Sequence, residues 1–139
     1  MIEVGFPGGM KVEAKVGGFS VISDQPTSAG GEGKAPSPFE FFLASIASCA
    51  GFYALRFCQE RNLGTDGLKV SLETERDASR KRIARIMIAI DLPEGFPERY
   101  REAIVRAVAQ CPVKRHLEEP PAIDVIAREH ALHLEGVII

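Results

Sequence analysis

The stretch SPFEFFLASIASC, Ser37 to Cys49, decides how the rest of the chain is read. Ser37 has the chemistry of a helix N-cap, Pro38 suits the first helical position, and Glu40 completes a capping box. In that motif the serine hydroxyl and the glutamate carboxylate each accept one of the other's backbone N–H groups. The helix is expected to start at Pro38 and run to about Arg61, where Asn62, Leu63 and Gly64 supply a stop. From Phe41 to Leu55 it has fifteen residues without a charge and apolar groups on every side. Such a helix must be covered all round. A membrane span needs about 20 apolar residues, and Glu40 and Arg56 bracket too short a run. The expected cover is therefore a sheet on one side and a second protein layer on the other. In a chain this small that layer is another subunit, which Ala44, Ser45, Ala47, Ser48, Ala50 and Gly51 would let approach closely.

Upstream, residues 1–25 alternate in short runs (KVEAKV, GFSVIS) divided by Gly-Gly pairs, which predicts two or three antiparallel strands. QPTSAGGEGKAP follows as a loop long enough to suggest a functional or interface role. Downstream, LKVSLETER and RIARIMIAIDL form a hairpin around DASRK, the second strand apolar enough to be covered on its inner face. A second helix is expected from near Pro97 through ERYREAIVRAVAQ, with Ile104, Val105 and Val108 as its buried stripe. It stops at Cys111-Pro112, and the proline starts a short helix through VKRHLEE. The tail reads as two more strands, AIDVIAR and ALHLEGVII. The order of elements predicts a single α+β domain over residues 1–139, its helices packed on one face of a mostly antiparallel sheet.

Composition limits what such a domain can do. With 45% apolar and 26% charged residues the chain is of ordinary globular type, and its net charge of -2 gives no electrostatic footprint for nucleic acid. The N-terminus lacks the basic start and apolar core of a signal peptide, and three cysteines cannot all pair within one chain. A reducing, cytoplasmic location is the expectation. Arg76, Arg80, Lys81, Arg82 and Arg85 cluster at the expected hairpin turn, where a solvated polar loop is the simplest reading.

The candidate chemistry lies in the thiols. Cys49 alone reads as a small core hydrophobe, but it is set among small residues that leave room around sulfur. Cys111, directly before Pro112, stands at the junction of two helical segments, where free N–H groups favour a thiolate, and Lys114 and Arg115 add positive charge. Cys58 follows Cys49 by nine residues, half a turn out of phase and about 13 Å along the axis. The two cannot form a disulfide, and Cys58 reads as a packing residue. No CxxC or HxxxH spacing supports a metal site with these cysteines and His116; His130 and His133 stand isolated in the tail. Glu40 is likewise half a turn from Cys49, so the two can serve one site only if the helix bends or if a two-fold dimer brings Glu40 to the partner's cysteine.

GGEGKAPSPFEFFLASIASC together with the distal CPVKRHL segment resembles the family of osmotically inducible protein C and organic hydroperoxide resistance proteins, OsmC/Ohr, over nearly all of the chain from Gly30 onward. The resemblance implies an OsmC-like fold: an intertwined homodimer of α+β subunits with long buried central helices and active sites at the subunit interface. It also implies a thiol peroxidase for organic hydroperoxides that uses an external dithiol and no metal, haem or other cofactor. Cys49 matches the peroxidatic cysteine, Cys111 the resolving cysteine, and Glu40 the helix-start glutamate that orients the site. An arginine from an early strand holds the thiolate in that family, whereas this chain has no arginine before Arg56. Lys11 or Lys15 could supply charge without the planar fork, and the pKa of a thiol buried in an apolar helix is then expected to rise. A slower peroxidase follows, or a non-catalytic redox-sensing or small-ligand-binding dimer of the same fold. A plain structural dimer, its thiols no more reactive than free cysteine, is the third reading.

Overall fold

The computed structural model describes residues 1–128. Three antiparallel strands, β1 (Ile2–Gly8), β2 (Lys11–Val16) and β3 (Phe19–Ser23), form one sheet. After the loop comes the long helix α1 (Pro38–Glu60), then the hairpin β4 (Lys69–Asp77) and β5 (Arg82–Asp91), and the helices α2 (Arg101–Ala109) and α3 (Pro112–Glu118). The α+β class holds, with the strands divided between a three-stranded and a two-stranded sheet.

The start of α1 is the capping box read from the sequence: Glu40 N–H donates to Ser37 Oγ at 3.3 Å and Ser37 N–H donates to Glu40 Oε2 at 2.7 Å. Its end is a Schellman turn in which Asn62 takes the left-handed conformation (φ 52°) and Leu63 N–H reaches back to the Cys58 carbonyl at 2.9 Å. Arg61 covers that end, its guanidinium 3.8 Å above the Phe57 ring. One stripe of α1, Ile46, Ala50, Ala54, Phe57 and Cys58, is buried. From Ala50 onward it joins Phe96, Ile104 and Val108 in the core, flanked by Val70, Ile88 and Ile90 of the hairpin. Cys58 is fully buried there.

Two expectations are corrected. Val105 faces solvent: the buried stripe of α2 is Ile104 and Val108, flanked on the other side by Ala103 and Ala107, which pack against the core. AIDVIAR is not a strand: among the described residues, 120–128 pair with no neighbouring strand, and Ile123, Val125 and Ile126 stand exposed. ALHLEGVII, with His130 and His133, lies outside the described residues.

The β4–β5 register contains one irregularity that the sequence did not announce. Glu75 pairs with Arg85 and the adjacent Arg76 with Ile83, so Ala84 is an extra residue in β5, a bulge. It lets Ile83 and Ile86, an odd number of residues apart, both be half-buried.

The three-stranded sheet packs only slightly on the rest of its own chain. Cross-strand pairing puts Ile2, Val16 and Phe19, and then Val4, Ala14 and Val21, on one face, with Glu3, Lys15 and Ser20 on the other. Among the described residues that apolar face is largely open: Ala14 and Val21 are half-buried, but Phe19 is 78% exposed, and Phe6 beyond it 83%. The far side of α1 is equally open along Ala44, Ser48, Phe52 and Leu55.

Candidate active site

Cys49 lies at the edge of the buried stripe of α1, half-buried, and Cys111 is the residue before α3, 1% exposed. Helix α3 packs on α1, and this brings the two thiols within interaction range of each other, both free. The Cys111-Pro112 junction does what a helix start does: it leaves N–H groups unpaired. The Val113 N–H, the first after the proline, lies near enough to the Cys49 sulfur to favour its thiolate. The sequence reading placed the favourable N–H groups beside Cys111; the geometry gives one to Cys49.

The Cys49 thiol is pushed above its ordinary value of 9.0, first by burial and next by the neighbouring Cys111 thiol, while the Val113 N–H pulls the other way. No guanidinium or ammonium is among the groups that set it. Lys114 is paired with Glu118. Lys11 is engaged by Glu32 at 2.6 Å, and Lys15 shares the polar face of the sheet with Glu3 and Ser20. Cys58 is also pushed up, by burial in the core.

Glu40 is not brought to the thiols within one chain. Its carboxylate is exposed at the far end of α1, held below the usual carboxylate range by the Ser37 backbone N–H. With Pro26, Lys34 and Pro36 it lines a shallow depression against the loop. Of the aromatic residues along α1, Phe39 and Phe42 line a separate cleft beside β5, Phe52 faces outward, and Tyr53 packs on the core.

The loop has an organiser that sequence reasoning missed. Asp24, 1% exposed, accepts backbone N–H groups from Gln25 at 2.8 Å, Lys34 at 3.2 Å and Glu32 at 3.3 Å, and its own N–H donates to the Pro36 carbonyl. These bonds, that from Lys34 foremost, keep the carboxyl below its usual range. The loop closes so tightly that a Cβ at Gly31 would lie 1.9 Å from the Gln25 carbonyl oxygen. The available signal was an acid at a strand end just before a Gly- and Pro-rich segment. Among the described residues, no cluster of three or more His, Cys, Asp or Glu is placed to hold a metal ion.

A long helix capped by Ser37 and Glu40, crossed near its middle by a cysteine-proline junction and flanked by antiparallel strands, defines a class of small α+β thiol proteins. The chain belongs to the OsmC/Ohr family: residues 31–126 match the family described as OsmC-like protein. Solved structures of similar fold include an OsmC-like protein from Mycoplasma pneumoniae (15% identity, TM-score 0.68, covering 85% of this chain and 86% of that one). An organic hydroperoxide resistance protein OsmC from Legionella pneumophila is similar at 20% identity, with TM-score 0.56 and coverage of 84% and 87%. The organic hydroperoxide resistance protein OhrB of Bacillus subtilis follows at 17% identity, TM-score 0.50, covering 86% and 92%. No curated protein matches the sequence at a significant level.

Proposed function

We propose that the protein is a cysteine-based peroxidase that reduces organic hydroperoxides, working in the cytoplasm as a homodimer. The observation that carries this reading is the nearness of Cys49 and Cys111, with the Val113 N–H beside the Cys49 sulfur. The Cys49 thiolate attacks the distal oxygen of the hydroperoxide; the O–O bond breaks, and the alkoxide leaves as the alcohol after taking a proton. Cys49 is oxidised to a sulfenic acid. The Cys111 sulfur then displaces its hydroxyl as water to give a disulfide, and an external dithiol restores both thiols by exchange.

Dimerisation is supported by two uncovered apolar surfaces in the single chain, the sheet face carrying Ile2, Val4, Val16 and Phe19 and the outer side of α1. A second copy that laid its sheet over this helix would cover both at once. The same two-fold arrangement would carry Glu40 of one subunit towards Cys49 of the other, where its carboxylate, held ionised, could orient a protonated peroxide oxygen.

Consumption of tert-butyl hydroperoxide in the presence of dithiothreitol, compared with hydrogen peroxide, tests the reading. The organic peroxide should be preferred and Cys49→Ser should reduce the rate to the level without protein. Full activity in that variant would overturn the mechanism.

A redox-sensing dimer without turnover is the second reading, favoured by the raised Cys49 thiol and the absence of an arginine before Arg56. It predicts that one equivalent of peroxide forms the Cys49–Cys111 disulfide and that added dithiol supports no further consumption.

A further inference from the structure

The closed end of the β4–β5 hairpin, the start of α1 and Leu117 of α3 enclose a cleft of about 740 Å³, within the size of ordinary small-molecule sites (~300–1,000 Å³). Phe39, Phe42, Ile83, Ile86 and Leu117 give it apolar walls, the two rings lying 5.4 Å apart. Arg76, Lys81, Arg82 and Arg85 line the same cleft. None of these four cations lies within ion-pair distance of a carboxylate among the described residues. Elsewhere most cations reach an acid, Lys11, Lys34, Arg56, Arg61, Arg101, Arg106 and Lys114 among them, and so does Arg80 in the hairpin turn itself, through Asp77. Lys15, Lys69, Arg99, Arg115 and Arg128 reach none among the described residues, but they are scattered, and only in the cleft do four such cations gather. The Ala84 bulge is what lets Ile83 and Ile86 share the cleft with the basic residues between and beside them.

Glu75 and Asp77 stand opposite Arg85 and Arg82 in the ladder without reaching ion-pair distance, and neither acid lines the cleft, so the cleft itself keeps a surplus of positive charge that an anion seated there would offset. A single carboxylate offers two oxygens and one charge. A phosphate monoester offers close to two charges and three strong acceptor oxygens, and guanidinium forks match it geometrically. We propose that this cleft binds a phosphate monoester with an apolar tail, the phosphate among Arg76, Lys81, Arg82 and Arg85 and the tail between Phe39, Phe42 and Leu117. The site goes beyond the peroxidase reading and needs neither thiol.

Calorimetric titration of the full chain with dodecyl phosphate below its micellar concentration tests it. Dodecanoate, inorganic phosphate and phosphatidic acid vesicles serve as comparison arms, and Cys49→Ser is run in parallel. Dodecyl phosphate is expected to bind at least about tenfold more tightly than dodecanoate or inorganic phosphate. Arg82→Glu/Arg85→Glu should lose that binding with the circular dichroism spectrum unchanged, at some cost in Tm because Asp77 and Glu75 stand opposite in the ladder, and Cys49→Ser should keep it. Equal binding of dodecanoate would reduce the site to a generic anion patch, and equal binding of inorganic phosphate would remove the apolar walls from the account. Co-sedimentation with vesicles without binding of soluble dodecyl phosphate would make it a membrane-facing surface instead. Each of these three results, or retained binding in the charge-reversed variant, overturns the proposal. Should the double variant misfold, suppression of dodecyl phosphate binding by added salt gives the same decision, since counter-ions weaken a charge-led contact and spare an apolar one.

Discussion

Cys49 on α1 and Cys111 at the start of α3 come within interaction range across a helix crossing, although about sixty residues of sequence lie between them. The proline after Cys111 produces the arrangement: it ends the preceding helical segment, opens the next, and leaves the Val113 N–H free beside the Cys49 sulfur.

If Cys111 closes the disulfide, Cys111→Ser should give a first turnover of normal speed and then stall. The trapped Cys49 sulfenic acid would then be open to over-oxidation. Stopped-flow peroxide consumption followed by intact-mass measurement checks this. A variant that sustained wild-type multiple turnover would remove Cys111 from the scheme.

The raised Cys49 thiol fixes the sign of a pH dependence. Only the thiolate attacks, and the protonated form is favoured up to and beyond the ordinary value of 9.0. The initial rate, followed as carboxamidomethylation of Cys49, should therefore keep climbing between pH 7 and pH 9. A plateau by pH 7 would mean that a cation of the second subunit lowers the thiol in the dimer.

Asp24 supplies a stability test away from the thiols. Its carboxyl is held below the usual value by backbone N–H groups, so its contribution is present above about pH 3.9, the unfolded value, and is lost as pH falls through the lower folded value. Asp24→Asn turns an amide N–H₂ towards donors that need an acceptor, and should lower Tm at pH 7. Thermal melts at pH 3 should show the gap to wild type closing; a constant gap would assign the loss to packing.

Cys58→Ser puts a hydroxyl into a fully buried apolar site, at a cost of about 1–3 kcal/mol if the hydroxyl finds no partner. Urea titration should register the loss while peroxide kinetics stay at the wild-type level. A changed rate would bring Cys58 into the chemistry.

Phe52 stands outward from α1, 56% exposed in the single chain. If a second copy covers that side, Phe52→Glu should shift the protein from dimer to monomer in light scattering at micromolar concentration. A wild-type chain that is already monomeric would count against a site built from two subunits.

The sequence made α1 legible because every local cue agreed: the Ser37–Glu40 box, the proline at its start, the uncharged run and the Asn62 stop. The three N-terminal strands, the hairpin and α3 were legible for the same reason. What was not legible depended on partners distant in sequence. The role of Asp24 appears only when the loop folds back on it, and the proximity of the two thiols needs the packing of α3 on α1. AIDVIAR alternates like a strand, but alternation cannot supply the neighbour a strand must pair with. Val105 flanks the Ile104–Val108 line as closely as Ala103 and Ala107 do, and only the packing of α2 on α1 settles which flank is covered.

The supernumerary Ala84 has one last implication. Deleting it would join Ile83 directly to Arg85 and keep every cross-strand partner, Arg76 with Ile83 and Asp77 with Arg82, because an inserted residue leaves the alternation intact on either side of it. A one-codon deletion would thus spare which groups share the hollow beside Phe42 and remove only the local kink and added twist of β5. The extra codon shapes the hairpin's curvature and not its pairing.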